Sequence, residues 1–275
     1  MRAVRSVLKY VLIGLLLVVV LYPQVWLILG SFKTQNEFFT EPTWSLPKHF
    51  SFDNYVTALT TSNVGQMYLN SITVTLPSLA LMLLVGIAAG FALEVMVWRG
   101  RNSTLLYFVA GLMVPGQMIL VPLFTVYFKV GLTNTLWPLV ITYVVMGLPL
   151  TVFLMATYFR AIPRELFEAA TMDGVSMLRS FFVIGLPLMK NAIITIAMVE
   201  FFSVWNDLLI ALTFTTRKNL QTLQVGLLGF SNEYGSTQYG PLFAAISINV
   251  VIVAVVYVFL NKQIMAGLAA GSVKG

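Results

Sequence analysis

The chain has no cysteine and a single histidine, His49. Disulfides, thiolate-held zinc and iron–sulfur clusters are thereby excluded, as is a multi-histidine metal site, and the redox compartment stays open. Charge is scarce as well. Asp, Glu, Lys and Arg make up 9% of the 275 residues, against about a quarter in soluble domains. That is too little polar surface to cover a water-soluble globule. No Gly-x-x-x-x-Gly-Lys-Ser/Thr phosphate loop occurs, so the chain does not supply an ATP site of its own. No nucleophile–histidine pair and no metal-ligand constellation stands out, and catalysis by this polypeptide is not expected. Internal repeats and low-complexity tracts are also lacking.

Apolar residues are what is abundant, at 59%. A membrane-spanning helix needs about 20 mostly apolar residues. Six such runs are read: 10–29, 69–97, 105–128, 136–158, 192–214 and 242–260. Pro23, Pro77, Pro115, Pro122, Pro138 and Pro149 punctuate them, which a packed bundle tolerates because neighbouring helices satisfy the freed carbonyls. The expected fold is all-α: a polytopic membrane protein with six transmembrane helices, forming one membrane domain over 1–275. The 13 methionines are scattered, and gap-filling is their ordinary use.

Orientation follows from Lys and Arg. Arg2, Arg5 and Lys9, then Arg99 and Arg101, then Arg160, Arg164, Arg179 and Lys190, then Lys262 and Lys274 fall in alternate loops. The opposite side holds Lys33, Lys48, Lys129, Arg217 and Lys218. Both termini are expected in the cytoplasm. The first run also has the basic start and apolar core of a signal peptide. Tyr22, Pro23 and Trp26 stand where a small-residue cleavage site belongs, so it is read as an uncleaved helix. Two long outer segments result, 31–67 with Phe38, Phe39, Trp44 and Tyr55, and 215–240.

The cytoplasmic loop 159–190 is the most informative. Pro163 suits the first turn of a helix. Glu165 and Glu168 then sit near the positive end of its dipole. Gly174 is a natural stop because it accepts a left-handed conformation. A second helical stretch from Met177 to about Ile184 is expected, ended by Leu186 and Pro187. Ala169 and Ala170 are small enough for another surface to approach. Leu166 and Phe167 offer apolar anchors for a groove. An ordinary amphipathic hairpin at the membrane surface explains the same pattern equally well.

This loop resembles the signature of binding-protein-dependent ABC importer permeases. Glu168, Ala169, Ala170, Gly174, Ile184, Leu186 and Pro187 stand at the family spacing. The resemblance extends over nearly the whole chain: 68–71, 115–122, 131–135, 159–168, Trp205 to Asp207 and 267–275 look like the carbohydrate-uptake branch, and within it the shorter, six-span, MalG-like partner of a permease pair. Asn191 and the stretch 247–251 depart from it, where members often have proline. The resemblance implies a type I ABC importer permease fold in a bacterial or archaeal inner membrane. Glu165, Glu168, Ala169, Ala170, Asp173, Gly174, Ile184, Leu186 and Pro187 become an ATPase-coupling element, a helix that docks on a cytoplasmic ATPase. The implied partners are a second permease, two ABC ATPase subunits that bind ATP and magnesium, an extracytoplasmic solute-binding protein touching 31–67, and a carbohydrate substrate. No cofactor in this chain and no nucleic acid are expected. Alternating access driven by the partner ATPases is the implied mechanism.

Ionisable residues inside the bilayer need a partner or a cavity. Glu200 is about ten residues into the fifth run, roughly 15 Å deep. Helical spacing puts Glu200, Ser203 and Asp207 on one face. Either this stripe borders a substrate pathway or Glu200 joins two helices. Glu94 is expected at a solvated helix end. Trp98 and Trp137 suit an aromatic belt. Phe124, Tyr127 and Tyr143 are candidates to stack on a sugar, with packing the ordinary alternative. A polyol, a glycerol phosphate or another polar nutrient remains an alternative cargo. An ion-coupled secondary transporter is the competing class, separable by uptake that survives ATP depletion.

Overall fold

A computed structural model describes the backbone of residues 2–231 and 237–272, and the side chains of 6–231 and 237–260. Lys274 and residues 273–275 lie outside that description, as do the side chains of Arg2, Arg5, Lys262 and the run 267–272. Helices follow one another in the order α1 (Arg2–Gly30), α2 (Gln35–Thr40), α3 (Asp53–Thr60), α4 (Val64–Glu94), α5 (Arg101–Gly111), α6 (Gly116–Lys129), α7 (Trp137–Arg160), α8 (Glu165–Met172) and α9 (Met177–Ser180). A π-turn (Phe181–Gly185) leads into α10 (Leu186–Trp205), followed by α11 (Leu209–Phe214), α12 (Leu223–Leu227) and α13 (Tyr239–Ser272). Among the described residues the only β pairing is an isolated bridge between Ser231 and Thr237.

Among the described residues, five continuous stretches are long and apolar enough to cross a membrane: Ser6–Gly30, Val64–Glu94, Trp137–Arg160, Met177–Trp205 and Tyr239–Leu260. A multi-pass membrane protein is thus the architecture. The expected third run, 105–128, is not one straight helix. α5 and α6 meet at 92°, because Pro115 takes an extended backbone just before α6 (ψ 116°) and has no N–H to carry α5 forward. The fifth run is displaced from 192–214. Its helix begins at Met177 and stops at Trp205. Leu186 and Pro187 were expected to end a short helix, yet the chain passes through them. The π-turn explains this. The Leu186 N–H bonds back to the Phe181 carbonyl five residues earlier, and the widened turn relieves the clash between the Pro187 ring and the carbonyl four residues before it. The second run likewise starts earlier and ends earlier than 69–97, at Val64 and Glu94.

The chain forms two compact units. One comprises 1–67 with 226–256, the other 68–225 with 257–275. In the first, every residue of α1 from Ser6 to Val25 is exposed, as befits a helix in lipid. Its end is fixed: Trp26 packs edge-on against Phe243 (5.2 Å), and a Cβ on Gly30 would strike the same ring. Beyond it the segment 31–55 is tied down by polar bonds. Ser31 Oγ and the Tyr55 hydroxyl are 2.7 Å apart, and Asn54 donates to the Ser31 and Lys33 carbonyls (2.8 and 2.7 Å). Glu37 closes the capping box of α2: its carboxylate accepts the Thr34 N–H at 2.7 Å, while the Thr34 hydroxyl accepts the Glu37 N–H at 3.4 Å.

In the second unit α4 lies against α7 at close range. A Cβ on Gly90 would come to 3.0 Å from the Ala156 backbone nitrogen, and one on Gly86 would collide with the Thr151 side chain. Gly86 and Gly90 form a Gly-x-x-x-Gly pair, the pattern that lets membrane helices pack backbone to backbone. A cluster of Met82, Leu139, Tyr143, Ile210 and Phe214 fills the space where α4, α7 and α11 meet.

Candidate functional site

α8 stands at one end of the second unit. Glu168 N–H bonds the Arg164 carbonyl (3.1 Å) and Leu166 N–H bonds that of Pro163 (3.3 Å), so Pro163 lies just ahead of the first turn. The helix closes in a Schellman motif. Val175 N–H reaches the Ala170 carbonyl (2.9 Å) and Gly174 N–H that of Thr171 (3.0 Å), with Gly174 at φ +77°. Open space surrounds the position where a Gly174 Cβ would be. Backbone conformation, and not crowding, is what calls for glycine there.

The residues singled out in this loop fall into two sets. Glu165, Glu168, Ala169, Asp173, Gly174 and Pro187 are exposed. Phe167 and Ala170 are buried, and Ile184 and Leu186 are half-buried. Phe167 is therefore not available as an anchor for another protein, because this chain already holds it. Leu166 and Met172 remain exposed. Phe91, from α4, joins the elements: its ring meets Phe159 of α7 at 5.6 Å, Phe167 of α8 at 5.8 Å and Phe181 of the π-turn at 5.0 Å, all near edge-to-face. Ile184 and Leu186 pack onto the same cluster. Each aromatic pair adds about 0.5–1.5 kcal/mol beyond burial. α8 is thus fixed to three parts of the bundle through one ring.

Beside α8 is a cleft of about 290 Å³ lined by Glu94, Arg160, Arg164, Phe167, Glu168 and Thr171. Glu94 is buried, at 9% exposure. It is not a solvated helix end: Arg160 grips it with two nitrogens, Nε donating to Oε2 at 3.2 Å and an Nη to Oε1. Glu94 and Arg160 are the sole charged residues of α4 and α7. Opposite single charges at the ends of two apolar runs are the only trace of the pair in the sequence, and they do not say that these two ends meet.

Glu200, Ser203 and Asp207 are not brought together. α10 ends at Trp205, so the shared face stops short of Asp207. Glu200 is buried, and its Oε1 accepts from the Thr151 hydroxyl (3.0 Å). Gly147 leaves room for it, since a Cβ there would come within 3.0 Å of Glu200 Oε2. Ser203 is exposed. Asp207 lies in the break between α10 and α11, where Oδ1 accepts the Tyr143 hydroxyl (2.8 Å) and the N–H groups of Ile210 (3.0 Å) and Ala211 (3.1 Å). Tyr127 is buried with its hydroxyl 3.0 Å from Thr142 Oγ1, and Phe124 stacks on Phe214.

Comparison with known proteins gives a consistent result. The profile of the family described as "Binding-protein-dependent transport system inner membrane component" matches residues 82–264. The diacetylchitobiose uptake system permease protein NgcG of Streptomyces coelicolor is 33% identical over 268 residues, covering 97% of this chain and 88% of its own. The galactooligosaccharides transport system permease protein GanQ of Bacillus subtilis is 31% identical over 277 residues, covering 100% and 97%. Among solved structures, a chain of a bacterial ABC transporter involved in the import of the acidic polysaccharide alginate superposes with a TM-score of 0.82 at 22% identity, covering 94% of this chain and 96% of that one.

Proposed function

Because this chain belongs to the family of binding-protein-dependent transport system inner membrane components, we propose that it is the permease subunit of an ATP-driven importer for a sugar or oligosaccharide. The printed names of its relatives support a saccharide cargo: diacetylchitobiose in one, galactooligosaccharides in another. The observation that carries the mechanism is the arrangement of α8. Its exposed side presents Glu165, Glu168, Ala169, Asp173 and Gly174, while its buried side is joined to α4, α7 and the π-turn through Phe91. Such an element takes up a push from outside and delivers it to several spans at once.

On this reading the whole chain is one permease domain with both termini in the cytoplasm. A second permease completes the pathway. Two ABC ATPases bind ATP and magnesium and dock on α8. An extracytoplasmic binding protein delivers the sugar to the outer segments, 31–67 among them. Closure of the ATPases moves α8, and the pathway alternates between outward and inward openings. Glu200 and Asp207 are engaged with Thr151 and Tyr143. We assign both to holding the spans together and not to gripping sugar.

The test is uptake by the assembled transporter in proteoliposomes supplied with binding protein. Labelled oligosaccharide should accumulate with ATP inside, should not accumulate with a non-hydrolysable ATP analogue, and should be indifferent to ionophores. Uptake that persists without ATP while an ion gradient is held would overturn the reading in favour of a secondary transporter.

A further inference from the structure

The outer segment of the first unit turns back along α1. Trp26 lies one helical turn before Gly30, about 6 Å lower along the axis. Its indole N–H donates to the Thr43 carbonyl at 2.6 Å. Residues 42–45 form a turn closed by the Ser45 N–H on the Pro42 carbonyl (2.9 Å). The turn is therefore held beside the body of α1 and does not stand off its end.

The charge pattern of α1 sets the depth of that turn. Lys9 is the last charged residue before the apolar run begins at Tyr10. Twenty helical residues from there span about 30 Å, the thickness of a hydrocarbon core, and reach Leu29. Trp26 then lies about 4–5 Å inside the boundary. Trp44 and Leu46, at the turn held against it, are 76% and 66% exposed. Among the described residues the Trp44 indole has no hydrogen-bond partner. Polar groups close the other side of the loop: Lys33 Nζ donates to Ser45 Oγ (2.9 Å), and Lys48 pairs with Glu41 (2.5 Å).

We propose that the 42–46 turn is a membrane anchor, with Trp44 and Leu46 inserted at the headgroup–acyl boundary of the leaflet at the C-terminal end of α1. The occupant of this surface is phospholipid. An indole suits the level, because its ring partitions into the acyl region while its N–H meets ester and phosphate oxygens. The turn thereby fixes how deep α1 sits and how the outer segment is held above the bilayer. The inference rests on α1 crossing the membrane and is independent of what the transporter carries.

The absence of cysteine makes the test direct. In the assembled transporter, with cysteines of the other subunits replaced, a nitroxide is placed at Trp44→Cys, at Leu46→Cys and, for comparison, at Asp53→Cys. The complexes are embedded in phospholipid nanodiscs. Collision with oxygen, which concentrates in lipid, should exceed collision with a water-soluble nickel chelate at 44 and 46, with the order reversed at 53. Labelling at 46 leaves Trp44 in place, so the result does not depend on a variant lacking the tryptophan. Nickel exceeding oxygen at both positions would overturn the proposal and make the turn a water-facing surface for the binding protein. Low collision with both probes would overturn it in favour of cover by a partner subunit.

Discussion

Arg160 supplies the counter-charge that lets Glu94 stay buried at the end of α4. Removing one partner of a fully buried pair costs about 3–5 kcal/mol. The Arg160 side chain is 62% exposed, so water shares its charge and the pair is worth less. Arg160→Ala should cost about 1–3 kcal/mol, seen as a lower unfolding midpoint in detergent, and the added change Glu94→Gln should recover part of the loss. Glu37 makes a different kind of prediction. The Thr34 and Lys48 N–H groups (2.7 and 2.8 Å) stabilise its ionised form, foremost the bond from Thr34, and hold its carboxyl below the ordinary value of 4.5. A group depressed in the folded state stabilises that state above its unfolded pKa and ceases to as pH falls through the folded one. Protection of the segment 31–48 against amide exchange should be level from pH 7 to about 5 and should decline below about 4.5. Glu37→Gln should flatten that decline. Gly174, as a left-handed stop, was legible from the residue type alone. The Glu94–Arg160 pair was not, because local pattern does not say which helix ends meet.

Among elements, α8 with its terminal turn is the one on which transport should hinge. A β-branched residue at Gly174 forces an L-residue to φ +77°, at a cost of about 1–2 kcal/mol. The turn should open even though space is available. Gly174→Val is expected to leave the ATPases turning over while sugar uptake falls several-fold. The check is the ratio of ATP hydrolysed to sugar accumulated in proteoliposomes. An unchanged ratio would count against α8 as the coupling element. Hydropathy revealed where most spans lie, because burial in lipid demands long apolar runs whatever the topology. It could not show how prolines are handled. Pro77 and Pro149 sit inside unbroken helices, Pro115 marks a 92° corner, and Pro187 follows a π-turn. Neighbouring packing decides among these outcomes, and a single sequence does not display it.

At the scale of the whole molecule, the composition announced the bilayer at once, and the family resemblance announced the transporter. Neither announced that the first unit is made from two stretches far apart in the sequence, 1–67 and 226–256. Gln35 donates to the Thr237 carbonyl across 202 residues, Phe38 stacks on Tyr239, and Trp26 and Gly30 rest on Phe243. This has a consequence for biosynthesis. Synthesis proceeds at about 5–20 residues per second, so about 10–40 s separate the emergence of Gln35 from that of its partner. Throughout that interval the segment after α1 lacks the surface it packs on. The nascent chain thus carries a waiting period during which this segment is open to proteases and to non-native pairing, and the arrival of α13 ends it.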